Sequence, residues 1–242
     1  MVVGCIIAGG KGERLGAGIP KQFLEVLGKP IIVYTMECFD ACEGIEAFDV
    51  VCLAGYEDMI YEYKEQYHIQ KLRKVITGGD TFGESVRNGV YALEDHCKSD
   101  DVFLLHMSIS PLVSDEILCD AIDVCKKYGN AFSAVPSYMC MCEATGEGFS
   151  EKFLNRELIY GLMTPQAVRY GKILELYRNA EAKGYDLNAR THLSTLLLDM
   201  GERIYFSKSS SVNIKITTMD DVDLLNALLS IKTRRGLDAY KI

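Results

Sequence analysis

The sequence has no excess of positive charge and no long apolar run, and both absences exclude broad classes of function. Lys and Arg number 26 against 34 Asp and Glu among 242 residues, a formal net charge of -8 at pH 7. This balance excludes a broad basic surface for nucleic acid or anionic lipid, but it is compatible with a local cationic pocket for a small anion. No stretch approaches the roughly 20 consecutive apolar residues that a membrane-spanning helix needs.

Proline and paired cysteine motifs are also scarce. The chain has 5 Pro and 21 Gly with 48% apolar residues, which excludes collagen-like repeats and disorder. The 9 cysteines form no CxxC pair and have no histidine at zinc-finger spacing, so we expect reduced thiols that mostly fill the core. The apolar opening Val2–Ala8 lacks the basic start and the length of a signal peptide, and we expect a cytoplasmic protein.

Short β-rich apolar runs alternate with longer segments of helical period, which is typical of βαβ units around a parallel sheet. Strands are predicted at 2–8, 48–53, 72–76, 102–106 and 131–135, and helices at 31–39, 59–67 and 85–93. Ser114 is the predicted N-cap of a further helix, and Thr218 with Asp221 at the capping-box position begins the last one. The helical pattern also resumes after Thr164-Pro165-Gln166 through Tyr177, and again over 191–200. His106, at a strand end, is interpreted as a hydrogen-bonded structural histidine.

The alternation stops between Pro136 and Met163, where Gly146, Gly148 and mixed polar residues replace it. We therefore predict one α/β domain over 1–242, with a mostly parallel, doubly wound sheet and an inserted arm at 137–163 that serves dimerisation. A ligand of such a sheet is expected over the carboxyl ends of the strands.

The glycine-rich run Ala8-Gly9-Gly10-Lys11-Gly12-Glu13-Arg14-Leu15-Gly16 directly follows the first predicted strand, and Lys21 lies just beyond it. Glycines let backbone N–H groups approach an anion, and three nearby cations favour a polyphosphate. A dinucleotide fingerprint would need glycine in place of Leu15, and a P-loop would need Ser or Thr after Gly-Lys. The alternative is an ordinary strand-to-helix turn with surface lysines.

Several segments, in order along the chain, carry a resemblance to a known family. They are Ala8 to Phe23 with 28–31, Gly78-Gly79-Asp80 with Ser85 and Gly89, Arg156 with Tyr160 and 164–166, and Asn213-Ile214-Lys215-Ile216-Thr217. Together they resemble the nucleotidyltransferases of the GT-A-like α/β class, and among these the cytidylyltransferases that act on methylerythritol phosphate or ribitol phosphate. The first loop, the 160–166 segment and the 213–218 segment favour the ribitol-phosphate branch.

The resemblance implies two sets of site residues. The catalytic set is Arg14, Lys21, Arg156 and Lys215; the nucleotide-binding set is Ala8, Gly9, Gly10, Lys11, Gly12, Gln22, Gly78, Gly79 and Ser85. Gln22 would order the loop, Ser85 and the Gly78-Gly79 turn would face cytosine and ribose, and Arg156, reaching across from a partner subunit, would bind the acceptor phosphate with Lys215.

The resemblance also implies substrates, a cofactor and an assembly. The substrates would be CTP and a phosphorylated sugar or polyol, with Mg²⁺ held mainly by the triphosphate and no metal ligand assigned in the chain. A homodimer is implied, with a role in isoprenoid or in teichoic acid and cell-wall biosynthesis.

The chain departs from the family pattern in the metal and acceptor motifs. Met107 stands in place of the metal-binding Asp and Ser110 in place of an Arg; the further departures are Phe82, Met139-Cys140 and His192. Three interpretations stay open: a cytidylyltransferase with an altered acceptor site, a degenerate homologue that binds nucleotide as a regulatory or scaffolding subunit, and a transferase of a different nucleotide.

Overall fold

A computed structural model describes residues 1–10, 19–146, 148–185 and 192–234. The strands in these residues are β1 (Val2–Ala8), β2 (Glu25–Val26), β3 (Lys29–Pro30), β4 (Ala47–Cys52), β5 (Leu72–Thr77), β6 (Val102–Met107), β7 (Asn130–Pro136), β8 (Met141–Glu143), β9 (Lys152–Leu154), β10 (Tyr160–Arg169) and β11 (Phe206–Ser207). The helices are α1 (Ile31–Ala41), α2 (Glu57–Gln66), α3 (Phe82–Tyr91), α4 (Asp115–Tyr128), α5 (Tyr170–Ala182), α6 (Leu193–Asp199) and α7 (Met219–Arg234).

A seven-stranded sheet in the order β11-β7-β10-β6-β1-β4-β5 forms the centre of the molecule. The strands from β6 to β5 pair in parallel, as do β7 and β11, whereas β10 is antiparallel to both of its neighbours. The predicted α/β class with a mostly parallel, doubly wound sheet is confirmed.

Helices cover both faces of the sheet, and β1 shows why its sequence is apolar throughout. Val2 and Ile6 pack into the core that α1, α2 and α4 cover, whereas Val3 and Cys5 pack into the core under α3, α5 and α6. A central parallel strand has no solvent face, so it needs a continuous apolar run.

Local capping signals place two helix starts correctly. The Ser114 hydroxyl accepts the backbone N–H of Ile117 at 3.3 Å at the start of α4. At the start of α7, Thr218 and Asp221 exchange hydrogen bonds, the Asp221 N–H donating to Thr218 Oγ1 at 3.3 Å and the Thr218 N–H to Asp221 Oδ2 at 2.8 Å. Each contact satisfies an N–H that a helix start leaves without an intrahelical partner.

The helix predicted after Thr164-Pro165-Gln166 is wrong in its first part, because residues 167–169 still belong to β10. Gln166 pairs with Leu105 of β6 and also with Phe132 of β7, which leaves the segment buried between two strands. A short apolar run can form a strand or part of a helix. Here the segment forms a strand because it fills the gap between β6 and β7. The helix begins at Tyr170.

The arm leaves the sheet after β7 and forms the antiparallel hairpin β8-β9, in which Met141 lies opposite Leu154. The last predicted arm residues, 160–163, are already part of β10, where Tyr160 pairs with Pro136. The hairpin itself lies outside the main sheet.

The cysteines are free thiols, and seven of them lie wholly or partly in the interior. Cys140 and Cys142, on the arm, are exposed. None of the helices in the described part of the chain combines the length and the apolar character that a membrane span requires.

His106 of β6 is completely buried, and its Nε2 lies 3.0 Å from the carbonyl oxygen of Ser110. A carbonyl can only accept, so Nε2 carries the proton, and Nδ1 is left buried without a partner among the described atoms. Burial lowers the pKa of His106 to about 4, against the opposing effect of the Ser110 carbonyl. The side chain is a neutral structural histidine.

This burial predicts a loss of stability in acid. In the unfolded chain the histidine pKa is near 6.5, so below that pH the unfolded chain binds more protons than the folded chain. The stability that depends on neutral His106 is therefore complete above pH 6.5 and is lost as the pH falls toward 4. Between pH 7 and pH 5 we expect the free energy of unfolding to fall by about 2 kcal/mol more in the parent than in His106→Gln, which keeps a donor for Ser110. Urea unfolding at both pH values measures this, and an equal fall in the two proteins would contradict it.

Candidate active site

A cleft with a volume of about 920 Å³ opens at the carboxyl ends of β1, β4, β5 and β6. Its lining consists of Ile7, Ala8, Gly9, Gly10, Lys21, Gln22, Leu53, Ala54, Gly78, Gly79, Asp80, Thr81, Phe82, Glu84, Ser85, Arg87, Met107, Ser108, Ile109, Lys215 and Thr217. The chain adds β4 and β5 on one side of β1 and then returns to place β6 on the other side. Such a reversal of strand order opens a crevice, which is the usual ligand site of open α/β sheets.

Ser85 brings the turn after β1 and the turn after β5 together. Its hydroxyl accepts the N–H of Gly79 at 3.1 Å. A Cβ at Gly9 would lie 2.9 Å from Ser85 Oγ, and a Cβ at Gly78 would lie equally close to the same atom. These approaches are shorter than real Cβ atoms show, so an alanine at either position would displace the Ser85 hydroxyl.

A capping box fixes the start of α3, from which Ser85 projects. The Glu84 N–H donates to Thr81 Oγ1 at 3.2 Å, and the Thr81 N–H donates to Glu84 Oε2 at 3.1 Å. Thr81, Phe82 and Glu84 at the amino end of α3 line the cleft, and the partial positive charge of a helix amino end favours an anion there.

Gln22 bonds to both ends of the described part of the glycine turn that follows β1. Its buried Nε2 donates to the carbonyl oxygens of Ala8 at 2.7 Å and of Gly10 at 3.0 Å. Gln22 therefore contacts both ends of the described part of this turn, and its role in ordering the loop stays a prediction. Lys11, Gly12 and Arg14, which the sequence assigned to the same loop, lie outside the described residues.

Lys21 enters the cleft at a short helical turn that follows Pro20. Its charge also acts on Asp221 at the start of α7. Burial would raise the pKa of Asp221, but the N–H groups of Thr218 and Thr217 and the Lys21 ammonium outweigh burial and hold that pKa below its usual value. Asp221 therefore stays ionised at neutral pH, close enough to influence the cation.

Lys215 also lines the cleft, next to the turn that follows β6. The Ile216 N–H donates to the Ile109 carbonyl at 2.8 Å, and the Ser110 N–H closes the turn on the Met107 carbonyl at 3.0 Å. Thr35 of α1 donates its hydroxyl proton to the Ser108 carbonyl at 2.9 Å. Main-chain contacts therefore fix this side of the cleft.

The two main departures from the family pattern lie on this turn. Met107 lines the cleft and also packs against the small core around Ile109 and Ile216. Ser110 is buried, so its side chain does not replace a long cationic one in the cleft. Phe82 lines the cleft as well, with its ring centroid 6.2 Å from that of His192.

Among the predicted site residues that the structure describes, Arg156 does not line the cleft of its own chain. It lies on the arm, exposed, and its Nη1 donates to the carbonyl oxygen of Tyr138 at 3.0 Å. The other predicted site residues that the structure describes all line the cleft. They are Ala8, Gly9, Gly10, Lys21, Gln22, Gly78, Gly79, Ser85 and Lys215.

The sequence reasoning missed several lining residues. Leu53 and Ala54 follow directly on β4, so the strand end itself was a signal for them. Thr81 and Glu84 have the spacing of a capping box, which local sequence also reveals. Arg87, whose Nη1 lies 3.5 Å from Glu181 Oε1, had no such signal.

Comparisons with known proteins agree on one family. The family model described as IspD, 2-C-methyl-D-erythritol 4-phosphate cytidylyltransferase, matches residues 2–231. A ribitol-5-phosphate cytidylyltransferase of Lacticaseibacillus paracasei is 36% identical over 232 residues, 96% of this chain and 99% of the relative. A 2-C-methyl-D-erythritol 4-phosphate cytidylyltransferase of Clostridium perfringens is 34% identical over 226 residues, 92% of this chain and 96% of the relative.

A solved structure shows the same fold. The 4-diphosphocytidyl-2C-methyl-D-erythritol synthase from Anaerococcus prevotii superposes with a TM-score of 0.80 at 24% identity, over 95% of this chain and 98% of that one.

The contact of Ser85 with the first glycine turn predicts unequal effects of two neighbouring substitutions. Gly9→Ala meets Ser85 Oγ, whereas Gly10→Ala has no described atom within 4 Å of its new Cβ. We expect Gly9→Ala to lower the thermal midpoint and Gly10→Ala to leave it nearly unchanged. Ser85→Ala removes this oxygen, and the nearest atom to the new Cβ is then the Cβ of residue 85, at 3.7 Å. The loss of stability caused by Gly9→Ala should therefore be smaller in the Ser85→Ala background, with a coupling energy of about 1 kcal/mol. Additive effects in this double-mutant cycle would refute the contact.

Proposed function

The chain belongs to the IspD family of cytidylyltransferases, and from that premise we propose that it transfers CMP from CTP to a phosphorylated polyol and releases pyrophosphate. The proposed acceptor is ribitol 5-phosphate, with 2-C-methyl-D-erythritol 4-phosphate as the alternative, because full-length relatives at 36% and 34% identity are named for these two activities. The observation that carries the proposal is the cleft in which two glycine turns meet at Ser85 and which Lys21 and Lys215 also line.

The nucleotide lies on the side of the cleft that Ser85 organises. The triphosphate follows the first glycine turn at Gly9 and Gly10, next to Lys21 and the amino end of α3, where N–H groups and positive charge stabilise it. Cytosine and ribose lie along Gly78, Gly79 and Ser85. Ala8 and Gln22 support this turn, and Lys11, Gly12 and Arg14 remain part of the proposed site on the resemblance alone.

The acceptor lies on the side formed by Lys215 and the turn after β6. A phosphate oxygen of the acceptor forms a bond to the α-phosphorus of CTP, and the bond from that phosphorus to the bridging oxygen of the β-phosphate breaks as pyrophosphate leaves. The chain holds the two anions in line and neutralises the charge that develops, which Lys21 does at the nucleotide and Lys215 at the acceptor. No covalent intermediate with the chain is needed.

Mg²⁺ does not fit a site made of protein ligands at the end of β6. A thioether, that of Met107, stands there, and a hard cation prefers oxygen. The described part of the cleft has two carboxylates, those of Asp80 and Glu84. Glu84 is already engaged in the capping box, and Asp80 follows β5 and not β6. We therefore propose that any Mg²⁺ is carried by triphosphate oxygens and water, and no step above depends on a protein-bound metal.

A pyrophosphate-release assay with CTP, Mg²⁺ and each acceptor tests the proposed reaction. We expect kcat/KM for ribitol 5-phosphate to exceed that for 2-C-methyl-D-erythritol 4-phosphate by about tenfold or more, a difference of about 1.4 kcal/mol. Lys21→Ala should lower kcat by about 100-fold, because it removes a cation at the developing charge. Lys74→Ala, which removes an exposed cation of β5 outside the cleft, is the matched control and should stay within about twofold of the parent.

Two results would overturn the assignment. Undiminished release by Lys21→Ala would remove Lys21 from the site. No release with either acceptor, from a protein that binds CTP, would reject turnover with these acceptors.

We also propose that the arm binds a second copy of this chain and that Arg156 completes the partner's site. Large apolar side chains of the arm are exposed, with Tyr138 at 80%, Met139 at 72%, Phe153 at 70% and Leu158 at 79%. A surface of this kind is typical of a protein interface. Arg156 is in the same arm and does not reach the cleft of its own chain, so a partner's acceptor phosphate is its proposed ligand.

Complementation between two inactive variants tests this exchange. Co-expressed Lys21→Ala and Arg156→Ala chains form hybrid dimers, in which one site combines an intact Lys21 with an intact Arg156 from the other chain. With random pairing, about half of the dimers are hybrids, and one of the two sites in each hybrid is intact. About a quarter of the parent activity should therefore return. Activity no greater than the sum of the separate variants would contradict an Arg156 that acts across the dimer.

A further inference from the structure

Three side chains that could bind a metal meet between α1 and α4, away from the cleft. They are Cys42, just after α1, and Asp115 and Cys119 in the first turns of α4, with their ligand atoms within 4.8 Å of one another. We propose that this cluster binds one divalent ion of the zinc class, through two thiolates and one carboxylate, with water as the fourth ligand.

The spacing of the two sulfurs suits a tetrahedral ion. Cys42 Sγ and Cys119 Sγ are 4.0 Å apart. A zinc ion with metal–sulfur bonds of about 2.3 Å holds two sulfurs about 3.8 Å apart, so little movement is needed. A disulfide requires sulfurs about 2.05 Å apart, so the pair in this structure is not bonded. Asp115 and Cys119 are four residues apart on one helix, which places both on the same face.

The ligand types select the metal. Thiolates favour zinc and its heavier congener cadmium, whereas Mg²⁺ and Ca²⁺ require oxygen ligands. Cys42 is buried, Cys119 is half-buried and Asp115 is exposed, so the cluster is closed on the sulfur side and open to water at the carboxylate. This leaves an entry path and room for a water ligand. When the ion binds, each thiol releases its proton to solvent and bonds as a thiolate.

An ion at this position would close the end of a longer contact between α1 and the chain that follows β6. Thr35 of α1 bonds to the Ser108 carbonyl, and Cys38, one turn on, lies 3.8 Å from the Pro111 carbonyl through its Sγ. Cys42 is the next residue of the same helical stripe, at the contact with Cys119. The ion would therefore cross-link two elements that are already packed along one line, and a gain in thermal stability should accompany its binding.

Cobalt titration of the metal-free full-length protein tests the site, because cobalt bound by thiolates shows charge-transfer absorption. The protein carries Cys140→Ser and Cys142→Ser to remove the exposed thiols of the arm, and its remaining thiols are counted as reduced beforehand. We expect one equivalent of Co²⁺ to give the thiolate band, Zn²⁺ to displace it, and one equivalent of Zn²⁺ to raise the thermal midpoint by several degrees.

Variants in this background separate the cluster from other thiols. Cys119→Ser should weaken metal binding at least tenfold, and so should Asp115→Asn. Asp115 is exposed, so its replacement by Asn should leave the fold intact. Cys97→Ser, which replaces a half-buried thiol in the core on the other face of the sheet, is the matched control and should bind as the parent does. Absence of the thiolate band, or a band of equal affinity in Cys119→Ser or Asp115→Asn, would overturn the proposal and leave two packed thiols.

Discussion

The hydroxyl of Ser85 is the contact on which the cleft depends. β1 and β5 are separated by β4 in the sheet, and the turns that follow them meet at Ser85 of α3, whose hydroxyl oxygen approaches both Gly9 and Gly78. The Gly79 N–H fixes the direction of the hydroxyl, and the Gly78 N–H bonds to the Cys52 carbonyl at 2.7 Å, which holds the second turn against β4. A methyl group on either facing glycine would push the turns apart. Gln22 then has a defined loop to bind, and Lys21, next to it in the chain, acquires its position in the cleft.

The turn after β6 is held without the side chains at positions 107 and 110, and this explains how it departs from the family pattern without disturbing the fold. The two glycine turns are held at their backbone atoms, which the side chains of Ser85 and Gln22 contact. The turn after β6 is held in the same way: the side chains of His106 and Thr35 bond to its carbonyl oxygens, and the Ile216 N–H bonds to another. Such contacts do not depend on the side chains at positions 107 and 110. Met107 and Ser110 can therefore stand in the turn where the family pattern has an Asp and an Arg, while the side chains on the proposed acceptor side of the cleft change.

Features that depend on neighbouring residues in the sequence were predictable, and features that depend on distant ones were not. The cap at Ser114 and the capping box of Thr218 with Asp221 involve residues within one helical turn, and the structure confirms them. The segment up to Arg169 becomes a strand because β6 and β7 leave a gap between them, which its own sequence does not encode. For the site, the resemblance brought Gly9, Gly78 and Ser85 together although they are far apart in the chain. Arg87 and the pair Cys42 and Cys119, 77 residues apart, had no local pattern that would reveal them.

The stripe of α1 that carries Thr35, Cys38 and Cys42 joins the proposed acceptor side of the cleft to the proposed metal cluster. At one end Thr35 bonds to Ser108, whose own N–H bonds to the Ile7 carbonyl of β1. At the other end Cys42 contacts Cys119 of α4. Ser108 and Cys119 belong to one continuous stretch of chain, so α1 contacts this stretch at both ends and near its middle, at Pro111. An ion between the two sulfurs would oppose any separation of α1 from α4 and would thereby limit the freedom of the turn on which Met107 lies. With the ion bound, the stability of the helix pair and the geometry of the proposed acceptor side would be coupled through a single helix face.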